Sequence, residues 1–289
     1  MLMRYVAVAL LLAALAPCAV RAQSPKPESP PAASKLKGEG PDVFRVRPQP
    51  DSPLRLSIKT YWLALKLKTQ YTDPNGYEID YYVENVGELA VSAFALQHAP
   101  GEEIPGLCVW DLSPARLLRP GKTDVRTSWG GYTPDAPVLT YEVDFVEFKD
   151  GTTWGADVCR SAERLAGERA GAAAAAERLL KLLAADGPDA VLKAVKEELA
   201  GWGPYSVLNE AARLGLTKGG AGDARKADEE EESRGVATPP GHSPVWELGF
   251  FIGTKQTAQN AKQAVEGYGP DADEIEHALK RPYDAAAAK

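Results

Sequence analysis

A chain of 289 residues with 40 Asp and Glu against 33 Lys and Arg has a formal charge of −7 and no basic block. That balance argues against nucleic acid as a partner, because phosphate binding draws on clustered Lys and Arg. It also gives anionic membrane surfaces nothing to attract.

The chain begins with a charged start, an apolar run from Tyr5 to Ala16 and a small-residue site at Val20-Arg21-Ala22. This is the pattern of a secretory signal peptide spanning 1–22, cleaved after Ala22, and it predicts a periplasmic or secreted protein. The apolar run is about 12 residues, short of the ~20 that span a bilayer, so no transmembrane helix is expected in the mature chain. Lipoprotein processing at Cys18 is the alternative, and Pro17 directly before it argues against that. Removing the leader takes away Arg4 and Arg21 and no acid, so the charge moves from −7 to −9.

Residues 23–52 hold Pro25, Pro27, Pro30, Pro31, Pro41, Pro48 and Pro50, with few large apolar residues before Val43. Such a stretch buries too little surface to offset its ordering entropy and reads as an extended tether.

From 53 to 158 the pattern becomes short apolar runs of period two. Leu54, Leu56 and Ile58 share one parity, and Leu63, Leu65 and Leu67 the other, which marks a bulge or turn near Tyr61-Trp62. Asp73-Pro74-Asn75-Gly76 is a turn signal leading into the alternating strand Tyr77, Ile79, Tyr81, Val83. Asn85-Val86-Gly87-Glu88 interrupts it, and Val91 to Leu96 resumes an extended run. Leu118-Arg119-Pro120-Gly121 is a second turn. The longest strand is expected over Val138 to Phe148, with a change of parity at Val146, and Asp150-Gly151 folds Thr152 to Trp154 back as a hairpin arm. About seven short strands in ~100 residues predict an antiparallel β-sandwich.

Three segments carry a resemblance: Tyr82-Val83-Glu84-Asn85-Val86-Gly87, Leu118-Arg119-Pro120-Gly121 and Phe145-Val146-Glu147-Phe148-Lys149-Asp150-Gly151. Together they resemble the small immunoglobulin-like modules of bacterial exported proteins, over about residues 54–155. The resemblance implies an adhesion, spacer or protein-binding unit and transfers no active site.

Cys108 and Cys159 are the two cysteines left after the leader, and an oxidising compartment favours their pairing as a disulfide. Closing a loop of about 50 residues has an upper value of roughly 4 kcal/mol. No Cys-x-x-Cys pair points to redox work.

The stretch 159–216 is helical by composition. Ser161 to Ala185 contains five consecutive alanines, with Gly167 and Gly171 each expected to cost about 1 kcal/mol relative to Ala. Asp186-Gly187-Pro188-Asp189 ends one helix and starts another, striped by Val191, Leu192, Val195 and Leu199. Gly201-Trp202-Gly203-Pro204 breaks it, and Val207 to Leu216 forms a third. Residues 217–244 read as an acidic, Gly- and Pro-rich linker. Ser243-Pro244 caps a helix running from Val245 to Gly267 within the C-terminal helices, 245–289. Gly249 and Gly253 have the spacing of a membrane dimer motif, but Lys255, Gln256 and Gln259 follow, so close packing on another helix in water is the expectation.

The fold class expected is therefore α+β, an immunoglobulin-like sandwich followed by helices. The sequence holds no G-x-S-x-G, H-E-x-x-H or phosphate-cradling glycine loop. His98, His242 and His277 fall in separate elements, and no cofactor or metal is indicated. His242-Ser243 suggests a base beside a nucleophile, but neighbours on a Pro-flanked loop lack the mutual geometry. Asp135, Asp144 and Asp150 are the carboxylates a polymer hydrolase would draw on, although strand-end aspartates generally serve turns. Trp110 and Trp154 are assigned to the core. Trp129 and Tyr132, beside Gly130-Gly131, are candidate ligand contacts. The expected partner is an envelope protein or polymer, with a carbohydrate-binding module and an envelope hydrolase as alternatives.

Overall fold

A computed structural model of the chain describes residues 42–62, 76–99, 109–112, 116–131, 138–202, 206–216, 236–268 and 271–287. The predicted leader with Cys18, the turn at Asp73-Pro74-Asn75, Cys108, Tyr132, Asp135 and the acidic run at 228–232 lie outside the described residues.

The architecture is α+β, with two mostly antiparallel sheets followed by helices. The strands are β1 (Phe44–Val46), β2 (Leu54–Trp62), β3 (Gly76–Asn85), β4 (Val91–Ala99), β5 (Val109–Asp111), β6 (Thr123–Gly131), β7 (Leu139–Phe148) and β8 (Thr153–Trp154). One sheet has the order β2-β3-β6, the other β1-β7-β4-β5 with β8 hydrogen-bonded to β7. Among the described strands only β1 runs parallel to its neighbour, with Phe44 opposite Leu139. Among the described residues strand structure thus begins at Phe44, inside the stretch expected to be tether. Phe44 is buried between Tyr77 and Tyr141, at centroid distances of 5.5 and 6.1 Å.

Period-two patterning explains the core between the sheets. Leu54, Tyr77, Ile79, Tyr81 and Val83 meet Val91, Phe94, Leu96, Tyr141, Val143 and Val146 of the facing sheet. The parity change in β7 is a bulge. Ala95 pairs with Phe145 and Leu96 with Val143, which leaves Asp144 without a partner in β4. Beyond it Val146 faces the sandwich core, while Phe145 faces the other way. There it joins Ala93, Ala95 and Leu165 in a second apolar layer beneath the first helix. The two turns that carried the resemblance converge on one buried residue. Asn85 Nδ2 donates to the carbonyls of Leu89 and Leu118, both at 2.8 Å, and its Oδ1 accepts from Gly87 N at 3.0 Å. Asp150-Gly151 makes the expected hairpin, with Val146 opposite Trp154.

The helices are α1 (Ser161–Gly201), α2 (Ser206–Arg213), α3 (Pro244–Tyr268) and α4 (Ala272–Ala287). α1 is two arms meeting at Gly187, whose φ of 79° only glycine adopts freely. Arg178 pairs with Glu198, 20 residues on. A straight helix would separate them by about 30 Å, so the second arm turns back along the first. The arms, α2, α3 and α4 share one core around Leu179, Val195, Leu248, Ile252 and Ile275.

The first arm of α1 and α3 lie backbone to backbone. A Cβ on Gly167 or Gly171 would fall well inside 3.0 Å of the carbonyl oxygens of Trp246 or Phe250, and one on Gly249 or Gly253 those of Arg164 or Glu168. Residue numbers rise together along both helices, so the pair is parallel. The two α1 glycines are thus the counterpart of Gly249 and Gly253, and the helix propensity they cost is offset by this approach. Ser243 Oγ donates to Glu163, joining the starts of the two helices.

Candidate functional site

Among the described residues, polar side chains gather at the junction of sheet and helices and on the outer face of β2-β3-β6, as well as in the Arg178–Glu198 and Glu210–Arg213–Glu247 groups of the helical half. At the junction, Arg169 of α1 holds Asp111 of β5 through Nε and Nη2 at 2.9 and 2.7 Å. It also holds Glu147 of β7 at 2.9 and 3.1 Å. Ser92 Oγ donates to the same Glu147 at 2.7 Å. Glu168, the residue before Arg169, sits 3.4 Å from Arg164 one turn earlier. Burial pushes the Glu168 carboxyl above its usual range, the Asp111 charge adds to this, and Arg164 opposes both.

Asp144 is almost fully buried and accepts from the backbone N–H groups of Val158 and Cys159, both at 2.9 Å. Asp157 caps α1 from four residues upstream, accepting from Ser161 N at 2.5 Å and from Ala162 N. Burial raises the Asp157 carboxyl, these hydrogen bonds lower it, and the charges of Asp144 and Glu163 raise it further. These carboxylates accept from backbone N–H groups or pair with arginines, each across a boundary between strand, loop and helix. The junction is a fastening between layers.

The outer face of β2-β3-β6 follows from strand parity. Opposite to the core positions, β2 presents Arg55, Ser57, Lys59 and Tyr61, and β3 presents Glu84, Tyr82, Asp80 and Glu78. In β6 the same register places Thr123, Val125, Thr127 and Trp129. Ser57, Lys59, Val125 and Thr127 are exposed, and Val125 is 48% accessible. Lys59 Nζ lies 4.9 Å from the Tyr82 ring centroid, Tyr82 Oη donates to Asp80 Oδ2 at 3.5 Å, and Thr127 Oγ1 donates to Asp80 Oδ1 at 2.7 Å. The Tyr82 hydroxyl is pushed up to about 12, first by its hydrogen bond with Tyr61, then by burial and by the Tyr61 and Asp80 charges.

The residues singled out from sequence fall as follows. Trp129 is in strand β6 across from Glu78, not on a loop, and its expected companion Tyr132 lies outside the described residues. Trp110 packs on Phe94 and Tyr81 at 5.2 and 6.3 Å, and Trp154 abuts the sandwich core. Cys159 is buried with Sγ 3.7 Å from Gln97 Oε1, and since Cys108 is not described the expected disulfide stays an expectation. Asp150 accepts from Thr152 N and Oγ1, which holds its carboxyl below the usual range. Thus Asp144 and Asp150 serve backbone and turn. His242 stacks on Trp246 at 3.6 Å, while its neighbour Ser243 donates to Glu163, so the two do not meet as base and nucleophile. His98 lies against Tyr141 at 5.4 Å, with its Nδ1 buried and unbonded among the described residues, and burial lowers its pKa. His277 is exposed on α4.

Sequence reasoning passed over Tyr61 and Tyr82 because aromatic residues in strands read as core. Their parity, opposite to Leu54-Leu56 and to Ile79-Val83 respectively, was the available signal.

Among the described residues no group of three or more His, Cys, Asp or Glu is placed to hold a metal ion. None of the described helices is long and apolar enough to cross a membrane. No family model, curated protein or solved structure matches the chain.

Proposed function

We propose that the chain is an exported bacterial envelope protein whose immunoglobulin-like sandwich serves as a binding module, held rigidly to its helical half and without a catalytic role. The leader pattern supports export. Strand order supports the immunoglobulin-like assignment: β2-β3-β6 matches strands A-B-E, and β4-β7-β8 matches C-F-G of that fold. Asn85, which joins the two turns behind the resemblance, supports it too.

The observation that carries the binding role is the outer face of β2-β3-β6, where Tyr82 and Val125 stand in the same row and Lys59, Val125 and Thr127 are exposed beside Asp80. The test is cross-linking in native cells, with the full chain tagged after Lys289 and a photoreactive residue at Val125 or, for comparison, at Lys280 on α4. The expected result is export with cleavage after Ala22 and a recurrent envelope adduct from Val125 alone. Retention in the cytoplasm, or equal labelling from both positions, overturns the reading.

A further inference from the structure

Resting on that reading, we propose that the outer face of β2-β3-β6 is a platform for an uncharged polysaccharide, with Tyr61 and Tyr82 stacking on sugar rings and Lys59, Asp80 and Thr127 bonding their hydroxyls. A pyranose presents a flat patch of C–H groups rimmed by hydroxyls. Its surface complement is an aromatic ring with hydrogen-bonding side chains beside it.

This face repeats that arrangement. Tyr82 stands in the row of Ser57 and Val125; the next row holds Lys59, Asp80 and Thr127; the row beyond holds Tyr61, Glu78 and Trp129. Strand spacing and rise put the Cα atoms of Tyr61 and Tyr82 about 14 Å apart, and those of Tyr61 and Trp129 about 10 Å apart. The platform therefore spans several sugar units, a dimension suited to a chain and not to a single monosaccharide.

Charge selects among occupants. Two cations and three carboxylates alternate across the face, and Arg55 already pairs with Glu84 at 2.9 Å. A face so balanced has no field to hold a polyanion. An apolar protein patch would strip water from Lys59, Asp80 and Glu78 without replacing it, which is why interface cores are depleted in such residues. Sugar hydroxyls both donate and accept, and they satisfy ammonium, carboxylate and threonine hydroxyl alike.

The test is affinity electrophoresis of the secreted full chain in gels containing hydroxyethylcellulose, xylan or galactomannan, with sedimentation on chitin beads. Retention by at least one polymer is expected, surviving a rise in NaCl to about 0.5 M because no net charge is matched. Tyr61→Ala and Tyr82→Ala should each weaken binding about tenfold, the worth of one ring contact. Tyr82→Phe keeps the ring and should keep most of the affinity, and Asp80→Asn gives a second readout that leaves the pleat intact. Loss of retention in salt, or native binding by both alanine variants, overturns the proposal. If no polymer retains the chain while the Val125 adduct is a protein, the glycan platform falls and the binding module stands. If both fail, both fall.

Discussion

The sandwich and the helical half bring their backbones together by opposite means. Between the sheets the gap is filled with rings: Tyr81 meets Tyr141 edge-on at 5.4 Å, Phe94 meets Trp110 at 5.2 Å, and Ser128 Oγ reaches the Tyr81 hydroxyl at 3.3 Å. Between α1 and α3 the gap is closed by removing side chains, so that four glycines admit the facing carbonyls. A filled core tolerates a change of shape through neighbouring rotamers. A backbone contact has no rotamer to move, so the helical half should be the more brittle of the two.

The same substitution made in each half sharpens that contrast. Gly171→Ala sets a Cβ against the Phe250 backbone and should destabilise by at least about 3 kcal/mol in denaturant titration. Gly121→Ala, at φ 71° with nothing within 4 Å, should cost about 1 kcal/mol, from backbone strain alone. Equal losses at the two sites would erase the distinction. Next in size is Asn85→Ala, which removes the side-chain donor to the Leu89 and Leu118 carbonyls and the acceptor of Gly87 N. A loss of about 2 kcal/mol is expected, confined to the strand signal if the halves melt separately.

Arg169→Met tests how tightly the halves are joined. It removes the guanidinium that Asp111 and Glu147 share and should cost about 1–2 kcal/mol while splitting one unfolding transition into two in calorimetry. A single unshifted transition would show that the layers are coupled elsewhere.

The smallest effect is a pH slope. The pKa of His98 is lowered on folding by burial, so the unfolded chain binds the extra proton first. Stability contributed by the neutral ring is present above the unfolded value of about 6.5 and is lost as pH falls from there toward the folded pKa. His98→Phe should flatten the difference in denaturation midpoint between pH 7 and pH 5 relative to the native chain.

What could be read from sequence was local. Alternation placed β3 and β7, Asp150-Gly151 placed the hairpin, Gly187-Pro188 placed the break in α1, and Ser243-Pro244 placed the start of α3. Each depends on residues within one turn or one pleat. Features set by distant partners escaped. β1 is three residues in a proline-rich stretch and exists because Leu139 to Tyr141 offers it an edge. Arg169 meets Asp111 across 58 residues and Glu147 across 22, a pairing no spacing rule announces. Gly167 and Gly171 read as weak points in a helix because their value lies on α3. The outer face was partly visible: Trp129 drew attention, while Tyr61 and Tyr82 needed the register of three strands to be seen as its neighbours.

Asp144 has a consequence for how such a chain can be divided and recombined. Left over by the pairing of β7 with β4, it turns its carbonyl to Asp157 N at 3.1 Å and its carboxylate to Val158 and Cys159. A residue surplus to one layer is thereby the socket for the next, and the border between sheet and helices is shared property. A cut placed anywhere from 145 to 159 would separate socket from plug. The sandwich is portable to another protein only with residues through the start of α1 attached, and the helices are inherited only by a chain that keeps the bulge.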